Sequence, residues 1–280
     1  ASEHPPGLKA IAPTAASADY YSSPWYDVGG ARNWCLMLPF GIGQATGFEA
    51  HAVKSGEGDA EMLVLLIEMA SDPTPSLLRL PSRDQPELAK LSWWQDWMDH
   101  PDRDSYWTEI SPMERIGEIT TPALQIVGWF DFFAPAVTNS YAKMRADAAT
   151  KEARDGQRLL IGPWDHGYAE GIYADREFGI DANHARVDLL GHHLRFFDRH
   201  LRNNSAALEN SAPVRIFVMG IDQWRDELDW PLPDTRYTNF YLNGSGRANT
   251  RDGHGVLTDV PPVSPACDLI TYDPLSPVPT

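Results

Sequence analysis

Two short apolar runs, each closed by a glycine and each followed at once by aromatic and acidic residues, constrain this chain more than any other feature. Pro122-Ala123-Leu124-Gln125-Ile126-Val127-Gly128 and Arg158-Leu159-Leu160-Ile161-Gly162 have the length of strands, and neither alternates apolar with polar residues. A strand with one wet face alternates; a strand covered on both faces does not, so both runs predict buried parallel strands. Between them, residues 133–148 read as a helix. A second, amphipathic helix is expected over residues 182–201, with Leu189, Leu190, Leu194, Phe196 and Phe197 on its apolar side. Strand, helix, strand, helix is the order of an α/β sheet with right-handed crossovers.

The flanking regions have a different style. Gly7-Leu8-Lys9-Ala10-Ile11-Ala12-Pro13 reads as a short strand. Residues 20–117 are mostly helical and rich in aromatics, with an apolar helix expected over residues 61–69 and another over residues 91–98, the latter holding Trp93, Trp94 and Trp97. After Asn203-Asn204-Ser205 the alternation stops. Val214-Arg215-Ile216-Phe217-Val218-Met219 and Thr238-Asn239-Phe240-Tyr241-Leu242, with an Asn243-Gly244 turn, suggest strands of an all-β module. The last residues, from Asp273 to Thr280, read as a loop-like tail.

Charge and composition exclude several classes. The formal net charge is −16 over 280 residues and no Lys/Arg cluster offsets it in the sequence, which argues against a nucleic-acid partner. No run of about 18 apolar residues occurs, which argues against a membrane span. Cys35 and Cys267 stand far apart in no CxxC pairing, so neither a disulfide framework nor a zinc site is expected, and both are read as reduced and buried. His192, His193 and His200 lie on one predicted helix and His193 and His200 share a face, but no carboxylate or third His joins those two at metal-binding spacing, and a solvated helix face is expected. Glu61, Glu68, Asp96 and Asp99 read as ordinary surface acids. The compartment is left open, with the cytoplasm weakly favoured: the chain starts at Ala1 with no Met, both ends read as cut from something longer, and a missing amino terminus removes any evidence about secretion.

Functional groups of a parallel α/β sheet lie on the loops past the carboxyl ends of its strands. Here those loops are Gly128-Trp129-Phe130-Asp131-Phe132-Phe133 and Gly162-Pro163-Trp164-Asp165-His166-Gly167. An Asp and then a His at successive strand ends suit a triad, in which the imidazole is the general base and the carboxylate fixes its tautomer. Asp131 before His166 also matches the Ser…Asp…His order of α/β-hydrolases. A helix-capping Asp and a solvated loop His would produce the same pattern.

Both loops, together with Ile119-Thr120-Thr121-Pro122, Gly7 to Pro13, Ser23-Pro24-Trp25-Tyr26, His100-Pro101, Asp104-Ser105-Tyr106-Trp107, Arg195-Phe196-Phe197-Asp198, Val218-Met219-Gly220, Trp224 and Trp230-Pro231, resemble the cocaine-esterase / X-prolyl dipeptidyl-peptidase family of serine hydrolases. The resemblance runs over nearly the whole chain. It implies a partial α/β-hydrolase core with an inserted helical cap and the start of a carboxy-terminal β jelly-roll. The expected divisions are residues 1–19 for the end of the first part of the core, 20–117 for the cap, 118–204 for the second part of the core and 205–280 for the jelly-roll. It further implies Asp131 as triad acid, His166 as general base, and an aromatic acyl pocket falling on Trp25, Phe40 and Phe133. Asp165 is read as a loop residue that tunes His166.

One departure stands out. No Gly-x-Ser-x-Gly occurs, and Gly244-Ser245-Gly246 falls in the wrong region. The family places its nucleophile elbow one helix before the Gly7 to Pro13 strand, so the Ser is expected upstream of Ala1 and the chain alone is expected to be inactive. The expected substrate is a small ester or amide, or a short peptide for an X-prolyl dipeptidyl peptidase or α-amino-acid ester hydrolase. No metal or organic cofactor is implied, and homo-oligomerisation is left open. A non-catalytic ligand-binding module is the rival from another class.

Overall fold

The computed structural model describes residues 1–273 apart from Val28, Tyr168 and Pro265; the expected tail beyond Asp273 lies outside the described residues. Two compact units divide the chain, residues 1–232 and 233–280.

The first unit opens with an extended segment and an aromatic helical region. Helices α1 (Trp34–Lys54), α2 (Ala60–Ser71), α3 (Thr74–Leu77), α4 (Ser92–Asp99) and α5 (Ser105–Ile110) follow one another. Local chemistry sets several of their starts. The Asp59 carboxylate accepts from the amides of Glu61 and Met62 ahead of α2, and Asp104 accepts from the Tyr106 amide ahead of α5. These helices bury Met37, Leu38, Ile42, Leu66, Trp94 and Trp107 in a shared core. Gly41 is obligatory there, because a Cβ would sit 2.8 Å from the Trp94 ring.

The two ends of this region meet. The Ala18 carbonyl accepts from the Met113 amide at 3.0 Å and from Ser111 Oγ at 3.0 Å. Arg103 bridges the Asp19 and Glu114 carboxylates at 3.1 and 2.6 Å.

Strands β1 (Leu124–Gly128), β2 (Arg158–Gly162), β3 (Val214–Val218) and β4 (Gln223–Glu227) form one sheet in that order. β1 pairs parallel with β2, β2 parallel with β3, and β3 antiparallel with β4. The two expected apolar strands are therefore present with the expected sense, and every residue of β1 is buried. α6 (Ala134–Asp147) and α7 (Lys151–Asp155) connect β1 to β2. Val137 and Tyr141 of α6 pack on the face that bears Val127, Leu159, Ile161, Val214 and Ile216. α8 (Leu189–Leu201) covers the other face, where Phe196 meets Leu124, Ile126 and Leu160.

Several expectations need correction. β3 was expected in an all-β module, yet it extends the parallel sheet of β1 and β2, so the sheet continues past residue 204. Its alternating pattern reflects a position next to the antiparallel β4, where side chains are only partly covered. Residues 7–13 do not form a regular strand. They run parallel to β1 through bridges at Ile11 and Thr14, and Pro13 has no amide with which to complete the ladder. α8 starts at Leu189 rather than near residue 182, because Asp188 turns into the left-handed region (φ 56°) and caps the Gly191 amide. Along α8 Phe196 is buried, whereas Leu190 and Leu194 are exposed. His192, His193 and His200 are half-buried rather than solvated, since α8 turns that side towards the sheet. Cys35 and Cys267 are exposed, not buried. Cys35 lies to the side of the stripe Met37, Leu38, Ile42 and Ala45 that α1 buries.

In the second unit, β5 (Tyr241–Asn243) pairs antiparallel with β6 (Val256–Thr258). Asn243-Gly244 therefore opens a long loop rather than a two-residue turn. Among the described residues no helix is long and apolar enough to cross a membrane, and no group of three or more His, Cys, Asp or Glu side chains is placed to hold a metal.

Candidate active site

The site grows out of the ends of β1 and β2. At Gly128 and Gly162 the two loops cross each other closely. The Trp129 amide donates to the Gly162 carbonyl and the Phe130 amide to the Trp164 carbonyl, both at 2.9 Å. A Cβ on Gly128 would lie 2.0 Å from the Trp164 carbonyl oxygen, and one on Gly162 would lie 2.3 Å from the Trp164 ring. The Trp164 indole is buried and donates to the Ala182 carbonyl at 2.7 Å, while Trp129 donates to the Phe217 carbonyl of β3 at 2.7 Å. Both loops are thus anchored by an indole before they reach their titratable residue.

Asp131 then turns inward. Its side chain is 1% exposed and its Oδ1 accepts from the Phe133 amide at 2.8 Å, which begins α6. His166 of the second loop brings Nδ1 to 3.2 Å from Oδ2 and 3.3 Å from Oδ1 of that carboxylate. The imidazole side chain is 47% exposed, so one side of the pair is buried and the other open. Phe132 lies 4.4 Å and Phe133 5.4 Å from the imidazole, centroid to centroid. A cavity of about 210 Å³ adjoins Asp131 and His166, with Thr14 and Ala15 on its far wall.

The two residues that sequence reading singles out as acid and base are therefore brought together, with Phe133 against the base. Asp165 accepts from the Gly167 amide at 2.9 Å and so shapes the loop that carries His166. Trp25 and Phe40 pack on each other at 5.1 Å within the helical region. Trp25 is only 6% exposed and Phe40 41%. They touch the site indirectly: Ser23, two residues before Trp25, donates from Oγ to the Phe132 carbonyl at 2.8 Å. Sequence reading missed Phe132, Ser23 and Thr14. Phe132 stands in the quoted loop beside Phe133, but nothing local distinguishes the two rings. Nothing in the sequence places Ser23 or Thr14 near residues more than a hundred positions away.

Comparison with known proteins identifies the surroundings of this pair. Residues 1–168 match the family model of the X-Pro dipeptidyl-peptidase (S15 family), and residues 205–278 match that of the X-Pro dipeptidyl-peptidase C-terminal non-catalytic domain. The cocaine esterase of Rhodococcus sp. (strain MB1 Bresler) is 43% identical over 98% of this chain and 47% of its own length. Among solved structures, an α-amino acid ester hydrolase superposes with a TM-score of 0.61 at 22% identity, over 98% of this chain and 43% of that one. A CocE/NonD family hydrolase from Staphylococcus aureus does so with a TM-score of 0.52 at 19% identity, over 88% of this chain and 34% of that one. The chain thus spans about half the length of its cocaine esterase relative, and its mixed α/β fold is that of these hydrolases. The chain belongs to the X-Pro dipeptidyl-peptidase (S15) family of serine hydrolases.

Proposed function

We propose that this chain supplies the acid and the base of a Ser-His-Asp triad that hydrolyses esters or amides through an acyl-enzyme. The observation that carries the reading is the buried Asp131 carboxylate, held by the Phe133 amide and facing Nδ1 of a half-exposed His166. With Nδ1–H donated to the carboxylate, Nε2 keeps its lone pair and faces the open side. There it takes the proton of an attacking hydroxyl and later returns it to the leaving group. Asp131 does not itself take the proton; it orients the ring and stabilises the imidazolium.

The nucleophile is the serine of a Gly-x-Ser-x-Gly elbow that this chain lacks and that a segment preceding residue 1 supplies. Without that hydroxyl and its oxyanion donors the 280 residues alone are inactive. Residues 20–117 act as a cap over the site, and Trp25, Phe40 and Phe133 hold an apolar acyl group. The chemistry needs neither a metal nor an organic cofactor. The 43% identity to an esterase favours ester substrates, while the family description keeps X-prolyl peptides as the second reading.

The test is fluorophosphonate labelling and p-nitrophenyl ester turnover, on the chain alone and on the chain joined to the segment that precedes it. One labelled serine in that segment, lost in His166→Ala, is expected. Turnover by the chain alone, or labelling indifferent to His166, would overturn the assignment.

A further inference from the structure

The sheet carries a second concave surface, at the end opposite Asp131 and His166. Arg158 is the first residue of β2, four residues before Gly162, which puts it ~13 Å from the strand end that leads to the site. The pairing aligns Leu124 with Arg158 and sets Leu160, Arg215 and Asp226 in one row across β2, β3 and β4. α8 covers the same face and adds His192 and Arg195. Between helix and sheet lies a cavity of about 370 Å³ lined by Arg158, Arg195, Arg215, His192 and Asp226 over a floor of Leu160 and Phe196.

The charge balance of this cavity is the reverse of the chain's. Three guanidiniums face one lining carboxylate, in a protein of net charge −16. Arg215 pairs with Asp226 at 2.9 Å, and Arg195 reaches out to Asp188 at 2.8 Å. Among the described residues Arg158 has no carboxylate partner; its Nη1 donates to the backbone carbonyls of Asp155 and Gln157. The Nε–H groups of Arg158 and Arg215 are enclosed without an acceptor among the described residues. A partly buried cation without a counter-charge is costly, and an anion in the adjoining space offsets that cost. His192 reports the same field, because burial and then the Arg195 and Arg215 charges push its pKa down to about 4. No local sequence run announces the cluster, since its arginines come from a helix and two strands.

We infer that this cavity is a binding site for a small oxyanion, a carboxylate or phosphate group held chiefly by Arg158 with Arg215 and Arg195. The site is separate from the hydrolytic pair and does not depend on the triad assignment.

Inorganic phosphate and, separately, acetate are titrated into the chain at constant ionic strength, followed by calorimetry and by NMR of the His192 ring protons. Saturable binding is expected, with the His192 titration moving to higher pH as anion fills the cavity. Arg158→Gln and Arg215→Gln should each weaken binding about tenfold or more, as loss of a charge-assisted contact implies. Lys90→Gln, in the helical region, should leave it unchanged. Preference for phosphate or for acetate tells which source of the oxyanion fits. If Arg158→Gln does not fold, Arg195→Gln, whose side chain stands at the rim, carries the test. Absence of saturable binding by either anion, or equal binding by wild type and the arginine variants, would overturn the inference.

Discussion

The loop that leaves β1 at Gly128 and the loop that leaves β2 at Gly162 begin alike and end in opposite surroundings. Each has a glycine that Trp164 approaches, by its backbone at Gly128 and by its indole at Gly162, and each fixes a Trp by a hydrogen bond to a distant carbonyl. Yet the first delivers a carboxylate that is 1% exposed and the second an imidazole that is 47% exposed. Among the described residues the carboxylate has two hydrogen-bond partners, the Phe133 amide and His166. The imidazole has one among the described residues, the carboxylate itself, and nearly half of its side chain is exposed. On the proposed reading, a buried acid and a half-exposed base suit a pair whose reacting partner arrives from another part of the protein.

The largest expected effect tests that asymmetry directly. On the proposed triad, in a protein that includes the nucleophile, His166→Ala and Asp131→Asn should each lower ester turnover by ~10⁴-fold, as loss of a triad member does elsewhere. Thermal unfolding should separate them, with His166→Ala nearly silent. Asp131→Ala should cost ~1–3 kcal/mol, because it leaves the part-buried Phe133 amide without its acceptor. Equal destabilisation by both would erase the distinction between the loops.

Glycine substitutions come next. Gly128→Ala drives a methyl to 2.0 Å from a buried carbonyl oxygen and should destabilise by roughly 3 kcal/mol or more, read by denaturant titration. Gly167→Ala, on the open loop, has its nearest neighbour at 3.8 Å and should stay within about 0.5 kcal/mol.

A smaller effect contrasts the open His166 with the enclosed imidazoles of α8. Burial pushes His192 and His200 from the ordinary 6.5 down to about 4. The unfolded chain therefore takes up protons first. The contribution is fully present above pH ~6.5 and is lost as the pH falls towards ~4, by roughly 1–2 kcal/mol per imidazole after solvent screening. Denaturation midpoints at pH 4.5 and pH 7 should show the loss, and His192→Gln should flatten it.

The smallest effect is in the aromatic helical region. Phe40→Ala should change stability by about 1 kcal/mol, since the ring is 41% exposed, and should raise KM a few-fold for aromatic acyl esters without lowering kcat. A loss of kcat alone would remove Phe40 from the acyl pocket.

The parts of this molecule that could be read from its sequence are those fixed by neighbours along the chain. Unbroken apolar runs announce β1 and β2, and glycine followed by Trp and Asp announces the loops. What escaped reading depends on distant pairing. β3 looks like any alternating strand until its partner β2 is known, and the alternation describes its coverage rather than its domain. The start of α8 rests on one residue, Asp188, entering the left-handed region, which propensity does not signal. The cationic cavity needs three elements in place before its arginines meet.

The junction at Ala18, Asp19, Ser111 and Met113 bears on how such proteins can be rebuilt. Because residues 18 and 113 are hydrogen-bonded neighbours, everything between them enters and leaves the remaining fold through a single gate. Such a segment behaves as a cassette. It can be exchanged for the corresponding segment of a relative, or replaced by a short bridge, without re-spacing the strands on either side. Arg103 lies within the cassette's interior and reaches both of its ends, so a transplanted segment that keeps an arginine there should close and one that loses it should gape.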